Sequence, residues 1–135
     1  MSTFVLDTCA LIDLGVVELG EYADGIAAVT SITIGELAFG VDLGDPAQQT
    51  ERSALLRSAI TDHEILTFGV EEARLYGVMA ALVRAAARSP RPRRLDLQIA
   101  ATAAAARLPL LTTNPKDFVG TDRLVDIVPL TRATR

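Results

Sequence analysis

The 135-residue chain has no tryptophan, one cysteine, one histidine, and only four Phe and two Tyr. Each shortage excludes something. Cys9 cannot form an internal disulfide, so the fold must rest on its core, and the chain fits a reducing cytoplasm. His63 stands far from Cys9 in sequence and reads as a residue near a helix end. With no histidine partner, Cys9 reads as a small core residue and not as a nucleophile. So few rings leave Leu, Ile, Val and Ala to build the interior. No uncharged apolar run reaches the roughly 18 residues of a membrane span. The first residues lack basic charge, and Asp7 and Asp13 interrupt the apolar stretch that follows, unlike a secretory leader. No repeat, linker or low-complexity tail divides the chain, so one domain over residues 1–135 is expected.

Half of the residues are hydrophobic and 22% are charged, a balance that supports a packed globule. The net charge of −4 argues against non-specific attraction to nucleic acid. The distribution of charge matters more than its sum. Arg84, Arg88, Arg91, Arg93 and Arg94 fall together with no acid among them. That run reads equally as a phosphate-contacting loop or as a solvated surface.

Apolar spacing predicts strands over residues 3–6, 26–29, 65–68, 109–112 and 125–130. It predicts helices over 8–14, 16–22, 32–41, 46–61, 70–88, 95–108 and 116–118. Gly15 is expected to stop the first helix, Thr30 or Ser31 to cap the third, and Pro46 to open the fourth. Leu55, Leu56, Ala59 and Ile60 have the spacing of a buried face, as do Ala73, Tyr76, Met79, Leu82, Val83 and Ala86. Strand and helix alternate, which predicts an α/β fold with a mainly parallel sheet flanked by helices.

In such a sheet, ligands gather at the carboxyl ends of the strands. Asp7 ends the first strand, Asn114 follows the fourth, and Asp96 and Glu36 lie on helices that start near that edge. Singly, each has a local explanation. Asp7 can cap the next helix, Thr33-Ile-Gly-Glu36 can form a capping box, and Asp96 and Asp117 suit first helical turns. Taken together the acids are less ordinary, because each is set in apolar sequence. Buried carboxylates are costly unless paired or bound to a cation, and clustered ones raise one another's pKa. A hard divalent cation such as Mg²⁺ resolves both problems.

Four segments carry a resemblance: Phe4-Val-Leu-Asp7-Thr-Cys-Ala-Leu-Ile-Asp13, Thr30-Ser-Ile-Thr-Ile-Gly-Glu36-Leu, Arg94-Leu-Asp96-Leu-Gln-Ile-Ala-Ala and Leu111-Thr-Thr-Asn114-Pro-Lys-Asp117-Phe. In this order and spacing the chain resembles PIN-domain ribonucleases, and among them the VapC-type toxins of toxin–antitoxin pairs. The resemblance implies a three-layer PIN-like fold and a metal-dependent endoribonuclease site built from Asp7, Glu36, Asp96 and a group of the fourth segment. Many PIN domains carry Asp where this chain has Asn114, whereas toxin-type members often have Asn there and an acid three positions on, as Asp117 is here. Either Asn114 or Asp117 is then the fourth group, and one or two metal ions remain open. The implied roles are Asp7 and Asp96 as ligands of Mg²⁺, with Mn²⁺ as the alternative. Glu36 would hold metal-bound water or act as general base, and Asp117 with Asn114 would orient the attacking water. Thr8, Thr112 and Thr113 are expected to meet the phosphate, and Arg91, Arg93 and Arg94 the flanking backbone. The implied partners are an RNA substrate, a cognate antitoxin and a second copy of the chain.

Three other readings compete. A housekeeping PIN-type RNA-processing nuclease would share the site. A receiver-like signalling domain would need an acid pair after the first strand and an acid ending the third, and the sequence offers neither. A PIN fold kept only for binding would not need its acids.

Overall fold

A computed structural model of the protein describes residues 2–133. The order of elements is β1 (Thr3–Leu6), α1 (Thr8–Ile12), β2 (Val17–Glu18), β3 (Ile26–Thr30), α2 (Ser31–Val41), α3 (Pro46–Asp62), β4 (Glu64–Leu66), α4 (Val70–Ala85), α5 (Arg94–Ala105), β5 (Leu110–Thr112), β6 (Ile127–Pro129) and β7 (Thr131–Arg132). Short 3₁₀ turns cover Gly20–Tyr22, Arg91–Arg93 and Pro115–Phe118.

The main sheet has the order β4-β3-β1-β5-β6, and every pairing in it is parallel. Alternation along its strands builds two cores, because successive side chains point to opposite faces. Val5, Ala28 and Leu110 face α4 and α5, where they join Met79, Val83, Leu97, Ile99 and Ala100. Phe4, Leu6, Val29 and Leu111 face the other way, onto Ala10, Leu11, Leu37 and Ala59 of α1, α2 and α3. The result is the expected three-layer α/β arrangement. α5 is the most deeply buried helix. Leu97, Ile99, Ala100, Ala101 and Ala103 are all fully buried, and each of its two large side chains contributes roughly 1.5–3 kcal/mol of burial.

The helix ends follow the sequence closely. Asp7 caps α1 by accepting from the Ala10 amide at 2.8 Å. Thr30 caps α2 through the Thr33 amide. Asp45 and Gln48 form a capping box around Pro46 at the start of α3. The expected Thr33–Glu36 capping box does not form, because the cap lies one turn earlier and Glu36 is turned toward α1.

Several expectations are corrected. Residues 16–22 do not make a helix. Val17 and Glu18 instead form a two-residue antiparallel ribbon with β7, held by the Arg132–Asp13 ion pair at 2.9 Å and by the Ala133 amide on the Val16 carbonyl. Gly20, at φ +57°, turns the chain away directly afterwards. The first helix ends at Ile12, before Gly15, and the last residues of the expected 70–88 helix unwind through Ala87, at φ +61°. Ile60 is exposed, as are Ala73 and Ala86, so the buried faces are narrower than their spacing suggests. No helix among the described residues is long and apolar enough to cross a membrane.

Candidate active site

Numbered among the five strands of the main sheet, the order is 3-2-1-4-5. A receiver-like domain has the order 2-1-3-4-5, so its topology is excluded. In the observed order the chain crosses from one side of β1 to the other when β5 is added. A crevice opens at that switch point, beyond the carboxyl ends of β1 and β5. Asp7 follows β1, and Thr112, Thr113 and Asn114 end or follow β5. The site residues are thus brought together by topology, although 105 positions separate Asp7 from Thr112.

Asp7 is only 3% exposed. One of its oxygens caps α1, and the other accepts the Thr112 hydroxyl at 2.5 Å. Thr112 in turn accepts the Asn114 amide at 3.0 Å. Burial pushes the Asp7 carboxyl above its ordinary value; the Thr112 and Ala10 bonds oppose this, while the charges of Asp117 and Glu36 add to it. Asp96, in the first turn of α5, is pushed up to about 6, first by burial and then by Asp117, Glu36 and Asp7, with Arg93 as the opposing charge. Asp7 and Asp96 each lie within electrostatic reach of Glu36 and Asp117, and Arg93 is the single cation among the causes of these shifts.

Glu36 is held from α1. Its Oε1 accepts the Thr8 hydroxyl at 2.7 Å, and Thr8 also meets the Thr33 hydroxyl at 3.0 Å. Asp117 lies on the turn after β5, with its amide on the Asn114 carbonyl. It is the strongest of the charges acting on Asp96. The Asn114 side-chain amide is directed elsewhere, toward Cys9 Sγ at 3.7 Å. Of the two groups left open for the fourth position, Asp117 is the one that adds charge to the cluster.

The hydroxyls differ from expectation. Thr112 is fully buried and its proton goes to Asp7, so it has no free donor for a phosphate. Thr8 is similarly engaged with Glu36. Thr113 is half-buried. Arg91 is exposed, while Arg93 and Arg94 fold back, donating to the carbonyls of Ser89 and Arg91 respectively. Cys9 is not in the core but exposed at the rim of the site. Desolvation and then the Asp7 charge raise its thiol, which disfavours the thiolate that a nucleophile requires. His63 stands at the end of α3, away from the acids in sequence and fold, as expected. Thr33 was not singled out by sequence as a site residue, and its only signal is its place one helical turn before Glu36.

Among the described residues, no three His, Cys, Asp or Glu side chains stand close enough to hold a metal ion between them. The donor set nevertheless suits a hard divalent cation. It is made only of oxygens, Arg93 is the one cation set against its four acids in these shifts, and each Asp7 oxygen keeps a free lone pair after its one bond. Mg²⁺ keeps several waters and typically takes one or two protein carboxylates, so a looser cluster fits it.

The PIN domain family model matches residues 4–124. No curated protein sequence gives a significant match. Among solved structures, the chain is similar to a chain of VapBC-5, a toxin–antitoxin structure from Mycobacterium tuberculosis, with 27% identity, a TM-score of 0.76, and 96% of this chain and 99% of that one covered. A chain of VapBC-1 from nontypeable Haemophilus influenzae superposes with a TM-score of 0.76 at 19% identity, over 95% of this chain and 98% of that one. A toxin–antitoxin complex from Klebsiella pneumoniae gives 27% identity and a TM-score of 0.59, over 87% and 91%. The resemblance carried by the four acidic segments is borne out along nearly the whole length: this chain belongs to the PIN domain family.

Proposed function

We propose that the chain is a single-domain, divalent-metal-dependent endoribonuclease and the toxin of a toxin–antitoxin pair, working in the cytoplasm. The observation that carries this reading is the gathering of Asp7, Glu36, Asp96 and Asp117 at the switch point, where burial first and the neighbouring acids second raise the carboxyls of Asp7 and Asp96. Carboxyls raised by burial together with specific charged neighbours mark a candidate functional site.

Asp7 and Asp96 are the groups that would hold Mg²⁺ or Mn²⁺. When bound, the ion supplies charge neutralisation at the phosphate and acidifies water. The remaining work falls to the chain. Thr112 and the α1 amide fix the Asp7 carboxylate, so its position does not depend on the ion. Glu36, pinned at Oε1 by Thr8, offers its other oxygen to take a proton from the attacking water. Asp117 orients that water from the β5 side, and Asn114 closes the rim against Cys9. Arg91, with Arg93 and Arg94 once released from their loop carbonyls, meets phosphates on either side of the cut.

The partners are proposed from the solved relatives, three of which are described as toxin–antitoxin or VapBC structures. A cognate antitoxin is supported by the exposed apolar residues beside Glu36: Phe39, 68% exposed, with Leu43 and Ile12. A symmetric dimer is supported by the bare outer face of α4, where Val70 and Val78 are exposed. The test is cleavage of total RNA by the purified chain with Mg²⁺, with Mn²⁺ and with chelator. Metal-dependent cleavage that is lost in Asp96→Asn supports the assignment. Equal cleavage by the variant refutes the role of Asp96.

A further inference from the structure

We propose that Thr33 is a positioning residue for Glu36, acting through the hydroxyl of Thr8; this rests on the reading of Glu36 as a site group given above. Thr33 is fully buried in the first turn of α2. A hydroxyl in a helix ordinarily returns to the carbonyl four residues earlier. Three helical threonines of this chain do so: Thr50 to Pro46, Thr61 to Arg57 and Thr102 to Gln98. Thr33 lies in the first turn, so no carbonyl of its own helix stands four residues earlier, and its hydroxyl is left to find a partner elsewhere. Its hydroxyl crosses to α1 and meets Thr8 Oγ1 at 3.0 Å, 25 positions away in sequence.

The direction of this bond follows from proton accounting. Thr8 donates to Glu36 Oε1 at 2.7 Å, and a hydroxyl has a single proton to give. The oxygen of Thr8 is then an acceptor toward Thr33, and Thr33 must be the donor. The chain of donation runs from the buried Thr33 to the half-buried Thr8 to Glu36. Glu36 has three side-chain torsions and no other hydrogen bond among the described residues to limit them. Thr8 holds its end, and Thr33 fixes the rotor of Thr8 so that its proton faces the carboxylate. The same link ties α1, which carries Asp7 at its cap, to α2, which carries Glu36. It adds a side-chain link between the two helices that follow the paired strands β1 and β3.

The test compares Thr33→Val, Thr33→Ser and Thr8→Val with the wild type. Removal of a group that orients a site carboxylate costs roughly tenfold in activity or more, so Thr33→Val should lower kcat about tenfold and leave KM unchanged. Thr33→Ser, which restores the donor, should restore the rate. The double variant Thr8→Val/Thr33→Val should lose no more than Thr8→Val alone, because the relay has one path. In metal-free protein, the side-chain carboxyl ¹³C resonance of Glu36 should move in Thr33→Val and return in Thr33→Ser. If Thr33→Val fails to fold, Thr33→Ala serves in its place. A double variant whose loss is the product of the two single losses would overturn the relay, as would an unmoved Glu36 resonance. If the wild type cleaves no RNA, the functional reading fails, and the resonance still decides the role of Thr33.

Discussion

Removing the charge of Asp96 should stabilise the metal-free protein at high pH while abolishing metal-dependent activity. Its carboxyl rises from 3.8 to about 6 on folding, by burial first and then by Asp117, Glu36 and Asp7. The folded state therefore holds this proton more tightly than the unfolded chain does. Stability from this source is complete below the unfolded value of 3.8, and it is lost as pH rises through about 6. At about 1.36 kcal/mol per pH unit, the full loss would be roughly 3 kcal/mol. Asp96 is only half-buried, so solvent screening brings the expected figure to about 1–2 kcal/mol. Urea unfolding in chelator, followed from pH 4 to pH 8, reads this directly. The wild-type midpoint should fall across that range, and Asp96→Asn should lie above it at pH 8 by something on the order of 1 M urea, while the two nearly coincide at pH 4. Some slope should persist in the variant, because Asp7 is raised by the same kind of burial and crowding. Added Mn²⁺ should rescue the wild type at pH 8 far more than the variant, since a ligand of the folded state stabilises it by mass action. A variant with the same midpoint and the same slope as the wild type would refute the proposed crowding of charge.

Three further outcomes are expected. Asp117→Ala should slow cleavage more than Asn114→Ala, because Asp117 adds charge beside Asp96 whereas the Asn114 amide is turned to Cys9; initial rates at saturating Mn²⁺ compare them, and the reverse order would leave a three-carboxylate site helped by an amide. Replacing Arg91, Arg93 and Arg94 together with Ala should weaken RNA binding and flatten its salt dependence by about 0.7 in log–log slope for each phosphate no longer neutralised; filter binding across salt concentrations would show an unchanged slope if these residues only close their own loop. Ala87→Gly should raise thermal stability by about 0.5–1 kcal/mol, because Ala87 holds φ +61° beyond the end of α4; a melting temperature unchanged or lowered would mean that its methyl packs.

The segments with strong local signals were legible. The apolar run ending in Asp7, the Thr30 cap, the Pro46 start and the Ala-rich α5 all follow from side chains a few positions apart. The parallel sheet followed from the alternation of strands and helices. What failed to show depends on distant partners. β2 is two residues long and exists because β7 reaches it from the far end of the chain, so no local period announces it. Cys9 is exposed, although the apolar run Ala10, Leu11 and Ile12 follows it in the sequence. Thr8 and Thr112 do stand beside the acids, but which atom each hydroxyl meets is decided by how α1, α2 and β5 come together. The arginine run gave the charge of its loop and concealed that two of its guanidinium groups bind the loop's own carbonyls.

The local and functional explanations of the acids, set against each other in the sequence, prove compatible in the fold. Asp7 is a helix cap, as its position predicts, and it is also the most buried acid of the cluster. A carboxylate has two oxygens, and here they do different work: one caps the start of a helix, and the other takes the hydroxyl of the neighbouring strand. Capping holds the group by a charge-assisted bond to a backbone amide, a rigid anchor that no side-chain rotor can loosen. The same holds in weaker form for Asp96, whose place in the first turn of α5 is favoured by the helix dipole while its neighbours push its carboxyl upward. A helix start at the carboxyl edge of a parallel sheet therefore meets two needs at once. It offsets part of the cost of a buried negative charge, and it aims that charge into the crevice where the strand order reverses. Glu36 is the exception that supports the rule. It lies in the second turn of its helix, beyond the reach of a cap, and it is the acid that borrows a donor from another helix.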